Sequence, residues 1–265
     1  MEVIGYLASI LIGISLGLIG SGGSILTVPV LVYLFGEDPV IATGYSLFIV
    51  GITSMAGSLT YFKRGLINIK TAIIFGIPSI LAVYITRAFI VPAIPDPVLA
   101  WEGFALTKRL LLMGLFAILM ILASYYMIRQ KKNTRKIEEP QVFNYPLIAI
   151  EGIVVGILTG LVGAGGGFLI IPALVILSKL SMKEAVGTSL LIIAAKSLIG
   201  FLGEGGKQEM NWQLLLLVSL SAIVGIVFGV LLSKRIDGAK LKPAFGWFVL
   251  IMGGYILVKE IFLDI

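Results

Sequence analysis

The chain has 265 residues, of which 58% are hydrophobic and only 13% charged, with a mean hydropathy of +1.09. A soluble domain of this size is about a quarter charged, so the composition describes an integral membrane protein and excludes an ordinary soluble domain. Cysteine and histidine are both absent, which excludes disulfides and thiol chemistry and removes the usual ligands of zinc, haem and iron–sulfur groups; no metal and no cofactor is expected.

A net charge of +6 and a pI near 9.4 can mark a nucleic-acid binder, but here the cations lie between apolar runs. They read as topology signals under the positive-inside rule, and no nucleic-acid partner is expected. The start, Met1-Glu2-Val3, has no basic region, and the first apolar run leads into glycines, so a cleaved signal peptide is not expected.

About 20 apolar residues span a bilayer as a helix. The apolar runs predict helices over 3–19, 25–36, 40–61, 71–90, 109–128, 145–163, 168–178, 184–203, 212–233 and 243–259. The runs 25–36 and 168–178 are too short to cross comfortably. Each follows directly on a glycine cluster and carries a proline, Pro29 or Pro172. Between the runs, Lys63-Arg64 to Lys70 is basic, and 91–108 holds Pro92, Pro95 and Pro97. The longest break, 129–144, carries Arg129, Lys131, Lys132, Arg135 and Lys136 and reads as a linker between halves. A last basic group holds Lys234, Arg235, Lys240 and Lys242.

The halves align without gaps. Gly13 falls on Gly156, an offset of 156 − 13 = 143. The same offset puts Gly20 on Gly163, Gly23 on Gly166, Pro29 on Pro172, Gly44 on Gly187, Ser46 on Ser189, Ser54 on Ser197 and Gly57 on Gly200. Shared hydrophobicity aligns leucines, not a series of glycines, prolines and serines, so the chain is an internal duplication. With the linker cytoplasmic and each short run changing sides, 63–70, 179–183 and 234–242 also fall inside, while Glu37-Asp38 and 91–108 fall outside. Re-entrant short runs would put 234–242 outside. The expected fold is therefore an all-α integral membrane protein of two inverted repeats, 1–128 and 145–265, joined by the cytoplasmic linker 129–144. It has about 8 full spans and two short Gly/Pro-broken ones, with both termini outside the cell membrane.

Broken short helices in paired halves are the pattern of secondary transporters, whose substrate sits where the breaks meet. Backbone freed by glycine survives at membrane depth only where protein or a wet cavity covers it. A helix starting after Gly23 or Gly166 presents N–H groups and a positive dipole end, which suits a small anion. Gly20, Ser21, Gly22, Gly23 and Ser24, with Gly163, Ala164, Gly165, Gly166 and Gly167, are the candidate substrate-binding backbone. The alternative is that these residues serve close packing alone, as the pairs Gly13/Gly17 and Gly225/Gly229 are expected to do. The GAGGG run lacks the Lys-Ser/Thr of a nucleotide loop.

A second duplicated block carries hydroxyls: Tyr45 and Ser46 in one half, Thr188 and Ser189 in the other. They either donate to a bound oxyanion or cap and back-bond their own helices. Lys196 lies well inside a predicted span, where a lysine costs about 3 kcal/mol or more unless paired or wetted. It reads as a substrate counter-charge or part of a coupling relay, against the alternatives of snorkelling or a structural ion pair. Glu151, about one turn into its span, is a candidate coupling group or an interfacial acid. Glu204 reads as interfacial, and Arg87, near the end of its span, as a snorkelling arginine.

The paired GLIGSGGSILTVPVL and GLVGAGGGFLIIPAL, each followed by A-x-G-x-S-L, resemble the sulfite exporter TauE/SafE family, also called the toluene-sulfonate-uptake permease family. The resemblance covers nearly the whole chain. Ser21, Ser24 and Tyr45 stand where the family commonly has Ala, Gly and Thr. It implies a transporter of small sulfur-containing anions such as sulfite or organosulfonates. The expected function is a secondary carrier driven by an ion gradient, because no ATP-binding motif is present; an anion channel is the alternative. The lack of His, Cys and acidic clusters speaks against a membrane-embedded enzyme. The expected partners are a small anionic substrate and the lipid bilayer, with a homodimer allowed.

Overall fold

The computed structural model describes residues 2–101, 104–129, 145–163, 165–176, 178, 180–203, 210–233 and 238–262. The first half runs α1 Glu2–Ile19, a 3-10 turn Ser21–Leu26, α2 Thr27–Tyr33, α3 Pro39–Lys63 and α4 Ile69–Ile85. A π turn, Thr86–Ile90, and α5 Val91–Ala93 continue α4. A small antiparallel ribbon follows, β1 Leu99–Trp101 and β2 Phe104–Leu106, with Leu99 opposite Leu106. It is the one departure from the all-helical expectation among the described residues, and it lies in the proline-rich segment. Then come α6 Lys108–Arg129, α7 Tyr145–Val162, α8 Gly167–Ile176, α9 Met182–Leu202, α10 Trp212–Leu232 and α11 Gly238–Phe262. Beyond Arg129, the linker expected at 129–144 lies outside the described residues, as do Glu204 and the basic residues Lys234 and Arg235.

The 143-residue offset reappears in the helix bounds. Shifted by it, α1 falls on α7, and the starts of α3 and α4 fall on those of α9 and α10. The caps match as well. The Asp38 carboxylate accepts from Val40 N–H at 2.8 Å, and Ser181, its counterpart, closes a capping box with Glu184. Asn68 accepts from Thr71 N–H at 3.0 Å, and its counterpart Asn211 accepts from Leu214 N–H at 3.1 Å. Each cap satisfies an N–H that the first helical turn leaves without a partner. The match ends at α6 and α11, whose starts are only 238 − 108 = 130 residues apart. α11 begins earlier than the expected 243, with Pro243 inside its first turns.

Close glycine contacts set the directions of the helices. Gly13 and Gly17 of α1 lie against Ile226 and Val230 of α10, and Gly225 and Gly229 lie against Ile10 and Ile14. α1 and α10 are therefore parallel, held by small residues that let the backbones approach, as the GxxxG spacing predicts. Gly152, Gly156 and Gly160 of α7 meet Phe75, Ser79 and Thr86 along α4 and its continuation, again parallel. In the centre, Leu47 meets Gly200, Gly51 meets Leu198 and Gly57 meets Leu190, so α3 and α9 cross antiparallel. α9 runs with α4 (Ile192 beside Gly76, Gly200 beside Val83), and α3 runs with α10 (Gly57 beside Ile226, Phe48 beside Trp212). Taken together, these contacts make α1 antiparallel to α7.

α3 and α9 are the most enclosed of the long helices, while α4 and α10 turn leucine, isoleucine and phenylalanine outward, as at Ile77, Leu81, Leu220 and Phe228. Five helices, Pro39–Lys63, Ile69–Ala93, Lys108–Tyr125, Met182–Leu202 and Trp212–Leu232, are long and apolar enough to cross a bilayer. Val3–Ile19, Gly23–Tyr33 and Pro146–Val162 are shorter apolar helices. An outward apolar surface of this kind is stable in lipid and not in water.

Arg87 corrects one expectation. It does not snorkel: it is only 1% exposed. The helix runs on through the π turn to Ala93, so Arg87 is not at a helix end, and its Cβ packs against Gly203 at the end of α9.

Candidate functional site

The two glycine clusters meet in the middle of the molecule. Gly20 and Gly163, equivalent positions, both have positive φ, 76° and 74°, and both turn the chain out of the preceding long helix. Each packs on the opposite half at equivalent places. Gly20 lies against Val186 of α9, and Gly163 lies against Thr43 of α3. Ser46 Oγ donates to the Gly163 carbonyl, which the helix end leaves without an acceptor role of its own. Its counterpart Ser189 instead donates to the Val186 carbonyl of its own helix at 2.9 Å.

Beyond these turns the halves differ. In the second, Gly165 and Gly166 take positive φ, 63° and 67°, and α8 starts at once at Gly167. Side chains rarely adopt two such residues in a row, which is the physical reason for the glycine run. In the first half, Ser21–Leu26 winds as a 3-10 turn and α2 starts only at Thr27. The helical run Gly23–Tyr33 therefore opens in 3-10 form and becomes α-helical only at Thr27, and Gly23 sits inside the turn, packed on Ser15 and Leu16 of α1. The reason is local. The second half has three positive-φ glycines at its break, Gly163, Gly165 and Gly166, whereas the break of the first half has Gly20. Ala164 lies outside the described residues, as do the surroundings of Ser21 and Gly22.

At Gly165 the two glycine segments and both central helices come together. A Cβ there would lie 2.6 Å from Val50 Cγ1, 3.4 Å from Ile193 Cγ2 and 3.5 Å from Ser24 Cβ. Val50 and Ile193 are themselves equivalent under the 143-residue offset. Ser24 is fully buried and belongs to the other glycine segment.

Lys196 comes to this junction from α9. Its ammonium is fully buried and donates to Thr159 Oγ1 of α7 at 3.0 Å. Thr159 Oγ1 in turn donates to the Gly156 carbonyl at 3.3 Å. A Cβ on Gly166 would stand 2.8 Å from Lys196 Nζ, so the ammonium lies directly against the glycine backbone that opens α8. Among the described residues no acid pairs with it. A cation and a helix N-terminus converge here with only a neutral hydroxyl between them, and both attract negative charge.

The other predicted residues are placed elsewhere. The Tyr45 hydroxyl accepts from the backbone N–H of Asn211 at 2.7 Å, and Thr188 Oγ1 accepts from that of Asn68 at 2.9 Å. These are equivalent bonds. Each joins the start of a central helix to the N-cap of a helix in the opposite half, so the structure gives both hydroxyls an anchoring partner. Glu151 is half-buried on α7, and its Oε2 has no hydrogen-bond partner among the described residues. Thr159 was not singled out by sequence. Its counterpart is Leu16, so the duplication carries no signal for it.

Comparison with known proteins finds membrane transporters. A protein from Xylella fastidiosa named "Probable membrane transporter protein" is 29% identical over 255 residues, covering 94% of this chain and 92% of that protein. The Bacillus subtilis protein named "Probable membrane transporter protein YunE" is 31% identical over 238 residues, covering 83% of this chain and 82% of its own length. Another from Bacillus subtilis, "Probable membrane transporter protein YdhB", is 27% identical over 238 residues and covers 90% of this chain and 93% of that protein. No solved structure matches the chain. The model of the sulfite exporter TauE/SafE family matches residues 5–256, and the chain therefore belongs to that family of membrane transporters.

Proposed function

We propose that this membrane transporter is a secondary carrier of small sulfur-containing anions, sulfite or an organosulfonate. In this reading the anion rests between the Lys196 ammonium, the Thr159 hydroxyl and the backbone at Gly165 and Gly166. The observation that carries it is the burial of Lys196 at the glycine break with a neutral hydroxyl as its acceptor. A cation at membrane depth costs about 3 kcal/mol or more unless it is compensated. An anion supplies that compensation.

Complete burial also favours a carrier over an open channel, since the site is reached only when the halves move. The antiparallel halves supply the means. Rocking one repeat against the other would expose the junction to each side in turn. With the basic linker and the 63–70 loop in the cytoplasm, both termini lie outside. The driving force in this reading is an ion gradient.

Uptake of radiolabelled sulfite into proteoliposomes tests the reading. The expected result is accumulation above the external concentration, collapsed by an uncoupler. Flux that only equilibrates the two sides would identify a channel, and absence of sulfite flux and binding would overturn the substrate class.

A further inference from the structure

Most serines and threonines in these helices return their hydroxyl to a carbonyl one turn back, as Thr53 does to Ile49 at 2.6 Å and Ser189 to Val186 at 2.9 Å. In hydrocarbon this back-bond is the default, because an unpaired polar group is costly. Ser54 and Ser197 do not make it. Both are fully buried, and neither Oγ has a hydrogen-bond partner among the described residues.

Other buried hydroxyls share this lack, but the duplication separates them. Thr27, Thr71, Ser79, Ser178 and Ser219 correspond to Ile170, Leu214, Ala222, Phe35 and Gly76, so each belongs to one half alone. Ser54 and Ser197 correspond to each other. They are the equivalent pair among these unsatisfied hydroxyls.

Their position is set by the crossing of α3 and α9. The contacts Leu47–Gly200 and Gly57–Leu190 bracket that crossing, which centres it at the level of Ile52 and Ala195, one residue before Thr53 and Lys196. Ser54 lies one helical turn from Gly51 and from Gly57, on the stripe of α3 that meets Leu198 and Leu190 of α9. Ser197 lies one turn from Ile193 and from Gly200, on the stripe of α9 that meets Gly165 and Leu47. The two hydroxyls therefore flank the crossing point, next in sequence to Thr53 and Lys196.

We propose that Ser54 and Ser197 are anion-binding residues, a two-fold pair of hydroxyl donors that take oxygens of the transported oxyanion as α3 and α9 part. Resting on the reading of Lys196 as counter-charge, this adds a pair of donors, one on each half, that a single anion with several oxygens can accept from at once. A tetrahedral or pyramidal sulfur oxyanion meets that need. A monatomic anion has no such set of directed acceptors. The pair serves both access states alike, because each serine occupies in one half the place that its partner occupies in the other.

The test uses the full-length protein in detergent, with sulfite as the probe and the variants Ser54→Ala, Ser197→Ala and the double, beside Ser54→Thr and Ser197→Thr. A hydrogen bond to a charged group corresponds to about 10- to 100-fold in affinity, so each alanine is expected to weaken sulfite binding by about that factor. The threonines, which keep the hydroxyl, should hold affinity close to wild type. Thermal stability supplies the second readout. Alanine removes a buried group that has no partner, so the unfolding temperature should stay level or rise; a structural hydroxyl would give a fall. Unchanged sulfite affinity in the double alanine variant, with Lys196→Met abolishing binding, would overturn this inference and leave the Lys196 reading standing. Unchanged affinity in Lys196→Met itself would overturn the reading on which both rest.

Discussion

The ammonium of Lys196 and the hydroxyl of Thr159 meet at 3.0 Å in the interior of the molecule, across the interface between α9 and α7. Thr159 lies one turn before the end of α7, just ahead of the glycine break, so the bond ties the charge to that break. The partly exposed Arg109, by contrast, meets an acid: its Nε lies 3.3 Å from the buried Glu260 carboxylate. Among the described residues, the hydrogen-bond partner of Lys196 is the Thr159 hydroxyl, with the Gly166 backbone beside it.

Lys196→Met tests the charge. It keeps length and removes a buried ion, so the fold is expected to be retained and the unfolding temperature to rise by several degrees. Sulfite binding, read by calorimetry, is expected to fall below detection. A loss of folded protein would mean that the lysine is structural.

Thr159→Val tests the hydroxyl. It leaves a buried ammonium without its acceptor, at a cost of about 1–3 kcal/mol. Thr159→Ser is expected to restore both stability and binding. Thermal unfolding with and without sulfite separates the two effects.

Gly165→Val tests the junction. The new side chain would overlap Val50 and Ile193 and would hold a positive φ that side chains resist, at a cost of about 1–2 kcal/mol for the backbone alone. Sulfite flux in proteoliposomes is expected to stop even in protein that still folds. Normal flux would remove the break from the mechanism.

Tyr45→Phe and Thr188→Val test the anchoring pair. Each removes the acceptor of an asparagine N–H that joins the halves, at about 1 kcal/mol. Both are expected to lower the unfolding temperature by similar amounts while sulfite affinity stays near wild type. A specific loss of affinity would return these hydroxyls to the binding site.

Glu37 supplies a pH test outside the membrane-spanning segments. Partial burial and the neighbouring Asp38 raise its carboxyl above the usual range. The folded state then binds a proton that the unfolded state has already released, so this contribution is present at low pH and is lost as pH rises through the folded value. Glu37→Gln is expected to flatten that fall in stability, measured by thermal unfolding from about pH 4 to about pH 7.

The class of the molecule and its duplication are legible in the residues alone. Long apolar runs can be stable only in lipid, and an offset of 143 residues carried by glycines, prolines and serines reappears in the bounds of α1 and α7 and in the starts of α3, α4, α9 and α10. The sequence also pointed to Lys196 and to the glycine break, because a charge and loose backbone at membrane depth both need a reason. Tertiary structure alone decided what each group touches. Thr159 was invisible because its counterpart is Leu16. For Tyr45 and Thr188 the sequence allows a ligand or a structural role, and only the fold shows the asparagine N–H that each accepts from, 166 and 120 residues away. Arg87 looked terminal until the π turn carried its helix onward. Sequence periodicity records which face a residue occupies, but not which helix meets that face. Only the crossing of α3 and α9 sets the glycine break beside Lys196.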